Sequence, residues 1–133
     1  MVRVMVIGTH YQQTNGYAKV MFNMINTLLT QEHFVIGYMF HKNGGMSVRP
    51  EIKSPRFITH DVLKNGVDTF GVSDVLEFVK LCAPDVVIVY NDLLVVSEFI
   101  KVLSPIKTIY PECQLYAYID IVYPRIKQTY KDS

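Results

Sequence analysis

The chain has no tryptophan, only two cysteines and almost no net charge, and each shortage closes off a class of protein. Cys82 and Cys113 are too few for the disulfide framework of a small secreted domain, and their separation matches neither a redox pair nor a structural zinc site. They read as reduced thiols, Cys82 on an apolar helix face and Cys113 in a loop. A formal net charge of +1, with no basic stripe carrying interleaved aromatics, argues against nucleic acid as a partner. The one local basic excess, Arg125, Lys127 and Lys131 beside Asp132, is explained by a solvated terminus. No apolar run approaches the roughly 20 residues of a transmembrane segment. Arg3 stands inside an alternating strand pattern rather than ahead of a long apolar segment, so the start does not read as a secretory signal. The expected location is the inside of a cell.

Known phosphate-loop patterns are missing too. The seven glycines supply neither the dinucleotide fingerprint G-x-G-x-x-G nor a Walker loop ending in G-K-[ST]. A receiver domain needs acidic residues after its first strand, where this chain has Gly8-Thr9-His10. A flavodoxin needs a loop of the T-G-x-T kind, where this chain has Thr14-Asn15-Gly16-Tyr17. The four histidines, His10, His33, His41 and His60, show no metal-ligand spacing, although His60 and Asp61 are adjacent and could pair. No bound metal is expected.

What is present is an alternation of strands and helices in 133 residues of ordinary globular composition, 50% hydrophobic and 19% charged. Arg3 to Ile7 reads as a strand that breaks at Gly8. Ala18, Met21, Phe22, Ile25, Leu28 and Leu29 then fall at helical spacing. His33 to Phe40 and Arg56 to Thr59 read as strands, separated by a loop with Gly44, Gly45 and Pro50. Ser73 opens a helix with Val75, Leu76, Val79 and Cys82 on one face, and Pro84-Asp85 stops it. Val86 to Val89 is a continuous β-branched run, as expected of a strand covered on both faces at the centre of a parallel sheet. Asn91 or Asp92 caps a helix reaching about Leu103, and Gln114 to Ile119 forms a last strand after a loop with Pro105 and Pro111. This order predicts a single α/β domain over residues 1–133, a doubly wound, mainly parallel Rossmann-like sheet with helices on both faces.

In such sheets ligands bind beyond the carboxyl ends of the strands. The residues placed there are Thr9, His10 and the loop to Gly16, then His41, His60 and Asp61, then Tyr90, Asn91 and Asp92, and finally Asp120 with Tyr123. Gly16, opening a helix, leaves room for an anion to reach backbone N–H groups at the positive end of the helix dipole. It equally suits close packing of that helix on the first strand, with Asn15 as the N-cap. His10, beside this loop, is the best-placed side chain for a polar contact to a ligand. Tyr90 suits stacking on a sugar face or ordinary burial at a strand end. Asn91-Asp92 suits a helix cap that also lines a cleft.

The stretches MVRVMVIGTH, TNGYAKVMFNMINTLL, HFVIGYMF, LCAPDVVIVYNDLLVV and CQLYAYIDIVYP, in this order, resemble the N-terminal domain of GT-B-fold glycosyltransferases, especially the retaining group called family 4. The N-G-Y-x-x-V-M and P-D-V-V-I-V-Y-N-D segments look most like glycosyltransferases attributed to large DNA viruses, which would place the protein in host cytoplasm. The resemblance covers nearly all of the chain. It implies that the Asn15-Gly16 loop, where the family usually has two glycines, faces the diphosphate of a nucleotide-sugar donor. It also implies that Asp120 stands on the acceptor side, hydrogen-bonding a glycan or other hydroxyl acceptor and able to take its proton. The family's donor-holding Arg, Lys and Glu pair belong to a C-terminal domain, for which the 13 residues after Asp120 leave no room; that domain would be supplied in cis by a longer chain. Two other classes are held beside this one on the alternation of strands and helices alone. One is a stand-alone, non-catalytic Rossmann-like module that binds a ligand or a protein, and the other is a flavin electron carrier.

Overall fold

Nine elements follow one another through the computed structural model of this chain, which describes residues 2–12, 16–40, 51–62 and 72–119. They are β1 (Arg3–Thr9), α1 (Gly16–Thr30), β2 (Phe34–Phe40), β3 (Phe57–Asp61), α2 (Val72–Cys82), β4 (Val86–Asn91), α3 (Leu93–Leu103), α4 (Ile106–Ile109) and β5 (Gln114–Ile119). The strands form one sheet in the order β3-β2-β1-β4-β5, and every neighbouring pair is parallel. The expected α/β, Rossmann-like sheet is what the chain forms. The middle strand, however, is β1 and not the β-branched β4, because β2 and β3 continue on one side of β1 while β4 and β5 continue on the other.

Period-two alternation distributes the strand side chains between two cores. Val4 and Val6 of β1, Val35 and Met39 of β2, and Phe57 of β3 face α1, whose Met21, Ile25 and Leu29 lie at helical spacing against them. Met5 and Ile7 of β1, Ile36, Tyr38 and Phe40 of β2, and Val87 and Val89 of β4 face the opposite way. There they meet Val75 and Val79 of α2 and Val96, Phe99 and Leu103 of α3. Phe40 and Phe99 stack at 5.9 Å, fixing α3 beneath the carboxyl end of β2. The sheet is therefore covered by helices on both faces.

Several local expectations change. β1 does not break at Gly8 but runs on to Thr9, paired with β2 to its end. A Cβ on Gly8 would stand 2.7 Å from the Tyr90 carbonyl oxygen and 3.1 Å from the Met21 sulfur, so this glycine lets β1, β4 and α1 close on one another. The close-packing role considered for Gly16 thus belongs at least to Gly8. β4 extends to Asn91 and β3 to Asp61, each past the expected end. α2 starts at Val72, one residue ahead of Ser73. The segment after Pro105 turns once as α4 where a loop was expected.

His33, just ahead of β2, is partly buried, and its Nδ1 accepts the Val2 N–H at 3.3 Å. Asp85 does more than stop α2. Its carboxylate accepts the Arg3 N–H at 2.9 Å and its own N–H donates to the Arg3 carbonyl, tying β1 to the start of β4. No helix among the described residues is long and apolar enough to cross a membrane.

Candidate functional site

An all-parallel sheet puts every strand's carboxyl end on one edge, and the order β3-β2-β1-β4-β5 reverses direction between β1 and β4. That reversal leaves a crevice at the carboxyl ends of β1 and β4, the position where open α/β sheets bind ligands. Thr9 and Asn91 stand there, 3% and 4% exposed, and the Asn91 amide donates to Thr9 Oγ1 at 3.0 Å. The Asn91 side-chain oxygen accepts the Asp92 N–H at 2.9 Å, and an Asp92 carboxylate oxygen accepts the Val95 N–H at 3.0 Å. Asp92 is thus the N-cap of α3, one of the two residues expected for that duty. Asn91 and Asp92 shape the floor of the crevice with their polar atoms engaged in its construction.

Tyr90 is 3% exposed, and its ring meets Tyr17 at 5.7 Å and Tyr118 at 4.7 Å, both edge-on. The burial considered for it at the strand end is what the fold provides. The Tyr17 contact has a further consequence: it holds the first turn of α1, which begins at Gly16, beside the carboxyl end of β4. That turn carries no acidic side chain, so the positive end of the helix dipole is not neutralised within it. Asn15 and Asp120 lie outside the described residues, as do His41 and Tyr123.

His10 is 2% exposed, hydrogen-bonded through its backbone and its ring, and faces a carboxylate with its other ring nitrogen. Its backbone N–H donates to the Phe40 carbonyl at 2.9 Å, and its Nδ1 accepts the Gln12 N–H at 3.1 Å. An Nδ1 that accepts leaves the ring proton on Nε2, which stands 3.3 Å from an Asp61 carboxylate oxygen. The histidine that faces Asp61 is therefore His10 and not the adjacent His60. His60 points to the other side of β3, where its ring stacks on Tyr38 and Phe78 at 5.2 and 4.8 Å.

These contacts build a pocket of about 130 Å³ at the rim, between the turn after β1 and the end of β3. Tyr11 and Phe57, edge to face at 5.9 Å, form its base, and Gln12, Glu51, Thr59 and Asp61 line it. The Ile52 N–H donates to Tyr11 Oη at 3.0 Å, which brings Glu51 to the opening. Tyr11, Gln12, Glu51 and Thr59 were not singled out in the sequence. The alternation of β3 carries a usable signal, because Phe57, Thr59 and Asp61 share one face and His60 cannot join them. A second pocket, of about 160 Å³, lies at the amino end of the sheet and is lined by Pro84, Asp85, Tyr110, Glu112 and Cys113. It is remote from the switch point despite its size.

Among the described residues, no three His, Cys, Asp or Glu side chains come together to hold a metal ion. Fold and rim together define a Rossmann-like α/β domain with a crevice at its switch point. No protein-family profile matches the chain, and no curated protein matches it.

Proposed function

We propose that this chain is the acceptor-side domain of a GT-B glycosyltransferase. It would work with a C-terminal donor domain, in cis, that holds most of a nucleotide-diphosphate sugar. The observation that carries the reading is the seat of α1: its first turn starts at Gly16, lacks a carboxylate, and is held by Tyr17 beside the β1–β4 crevice. A diphosphate entering that crevice meets the positive end of the dipole of a 15-residue helix. The resemblance of the chain to family-4 transferases supports the same use of this turn, and its viral-type segments support action in host cytoplasm.

In the reaction, the acceptor hydroxyl oxygen bonds to the anomeric carbon while the bond from that carbon to the donor phosphate oxygen breaks. The hydroxyl proton leaves to a base, the role held for Asp120 on the acceptor side, and the nucleoside diphosphate departs. N–H groups aimed at the leaving phosphate stabilise the charge that develops there.

The test begins with the reading frame past the codon for Ser133. The protein it encodes, expressed in full, is assayed for transfer from nucleoside-diphosphate sugars, alongside Gly16→Trp. A further domain, transfer from at least one donor, and loss of at least a hundredfold of that transfer in a folded Gly16→Trp protein are expected. A stop codon directly after Ser133, or no transfer from any donor, overturns the reading. Full transfer by Gly16→Trp overturns the role of the α1 turn.

A further inference from the structure

We propose that β5 is a self-association surface whose occupant is β5 of a second copy of this chain, paired antiparallel about Ala117 so that the sheet continues across a twofold axis. The proposal is independent of the transferase reading above. β5 ends the sheet order, and among the described residues no strand lies beyond it. Its residues, Gln114 to Ile119, include no charge, proline or glycine, the devices by which monomeric proteins blunt an exposed edge.

The backbone decides which groups are left open. The Gln114 N–H donates to the Asp85 carbonyl at 3.0 Å, and β5 runs parallel to β4 with Gln114 opposite Val86. Alternate residues of a strand turn both backbone groups to the same side, so Gln114, Tyr116 and Tyr118 address β4. Leu115, Ala117 and Ile119 therefore turn theirs outward.

The sequence decides what fits them. Leu115-Tyr116-Ala117-Tyr118-Ile119 shows the same order of side-chain types in either direction: aliphatic, aromatic, alanine, aromatic, aliphatic. Antiparallel pairing centred on Ala117 sets it opposite the partner's Ala117, and sets Leu115 opposite the partner's Ile119. These are the outward-facing residues, and each such pair exchanges two N–H···O bonds. Tyr116 then falls opposite the partner's Tyr118 in a non-hydrogen-bonded position, where cross-strand side chains come closest and aromatic pairs are favourable. A shift of one residue would set outward groups against inward ones, and a shift of two would leave Leu115 or Ile119 without a partner.

Both rings are held before a partner arrives, Tyr118 edge-on to Tyr90 at 4.7 Å and Tyr116 through its hydroxyl on Gln114 Oε1 at 2.8 Å. Each is nevertheless half exposed, 54% and 53%. Preorganised aromatic surface on a strand with no charge to repel its own copy favours the meeting of like with like. The same edge is used by both copies, so the assembly closes at two.

The experiment is sedimentation equilibrium of the 133-residue chain across about 1–500 μM, because one strand pair is a small interface and implies a micromolar dissociation constant. Monomer giving way to dimer, and to nothing larger, is expected. Ala117→Lys sets two like charges opposite each other at the axis, and Ala117→Pro removes an outward N–H that β4 does not use. Each should raise the dissociation constant at least about tenfold with an unchanged circular dichroism spectrum. Ala117→Cys, whose two copies would stand about 5.5 Å apart between Cα atoms, should give a disulfide-linked dimer on mild oxidation, and Tyr116→Cys should not. Peptide mass spectrometry distinguishes that link from any through the free Cys82 or Cys113. A monomer at every concentration overturns the proposal, as do species larger than a dimer. Association unchanged by both Ala117→Lys and Ala117→Pro overturns it too, as does cross-linking of Tyr116→Cys as readily as of Ala117→Cys.

Discussion

The Asn91 amide donates to Thr9 Oγ1 at 3.0 Å across the point where the sheet reverses direction, and both side chains are buried. The bond joins β1 to β4 just beyond Ile7 and Val89, the last paired residues of the two strands, so it closes the crevice floor where the ladder ends. Thr9→Val removes the acceptor while nearly keeping the shape, leaving the Asn91 amide unpaired in the interior. A loss of about 1–3 kcal/mol in unfolding free energy by urea denaturation is expected. In the Thr9→Val, Asn91→Leu double variant the losses should fall short of their sum by about 1 kcal/mol, since neither side then strands a partner. Strict additivity would show that the pair contributes no coupling.

Gly8 and Gly37 sit in neighbouring strands, yet their tolerance of a methyl group should differ. A Cβ on Gly8 meets the Tyr90 carbonyl oxygen at 2.7 Å, a backbone atom locked in the sheet. A Cβ on Gly37 meets the terminal methyl of Met39 at 2.6 Å, which can rotate away. Gly8→Ala is expected to cost about 1–3 kcal/mol, the range for overpacking a rigid site, and Gly37→Ala less than about 1 kcal/mol. Urea midpoints in the reverse order would refute the assignment of Gly8 as the contact point of β1, β4 and α1.

The same glycine shows where local sequence is a poor guide. A missing side chain after an apolar run reads as a strand end, and only the approach of β4 reveals that the strand continues through it. Apolar periodicity was enough for the cores, because Met21, Ile25, Val75, Val79 and the β-branched run of β4 bury the faces their spacing predicts. It could not rank β1 above β4 as the middle strand, since both are apolar and their order depends on crossovers. His10 and Asp61 are 51 positions apart and meet only because β2 separates β1 from β3 by a single strand. The pairing of His60 with Asp61, by contrast, was avoidable: adjacent strand residues face opposite sides. A cap at Asn91 or Asp92 was legible because a short polar side chain before an apolar helical run has a local cause, and the fold gives that duty to Asp92.

Helix α1 ends in a way that predicts a gain of stability. The Glu32 N–H donates to the Leu29 carbonyl at 3.0 Å and the His33 N–H to the Leu28 carbonyl at 3.1 Å, the paired bonds of a Schellman cap. Glu32 occupies the left-handed position of that cap, with φ 65°, where a β-carbon crowds the backbone. Glycine adopts this conformation without that penalty, offset in part by the greater freedom it gives the unfolded chain. Glu32→Gly is expected to stabilise the protein by about 0.5–1 kcal/mol, read as a higher urea midpoint with an unchanged slope. A lower midpoint would show that the glutamate side chain contributes more than the strain removes.

The two cysteines should respond to pH in a common direction and to one substitution differently. Burial pushes the Cys82 thiol above the ordinary thiol range, with Arg3 pulling weakly the other way; burial also raises Cys113, and there the Asp85 carboxylate adds to it. Both are free, and at neutral pH both are protonated, the unreactive form. Alkylation by iodoacetamide should be slower in the folded chain than in urea at mildly alkaline pH, with the difference closing as pH rises. A folded pKa above the unfolded one means the thiols' contribution to stability is complete below the unfolded value and is lost as pH climbs through the folded one. Asp85→Asn keeps an oxygen to accept the Arg3 N–H but removes the charge, so Cys113 should alkylate faster while Cys82 is unchanged. Equal acceleration at both thiols would mean that the substitution loosened the amino end of the sheet rather than acting through charge, and mass spectrometry of the modified peptides separates the two outcomes.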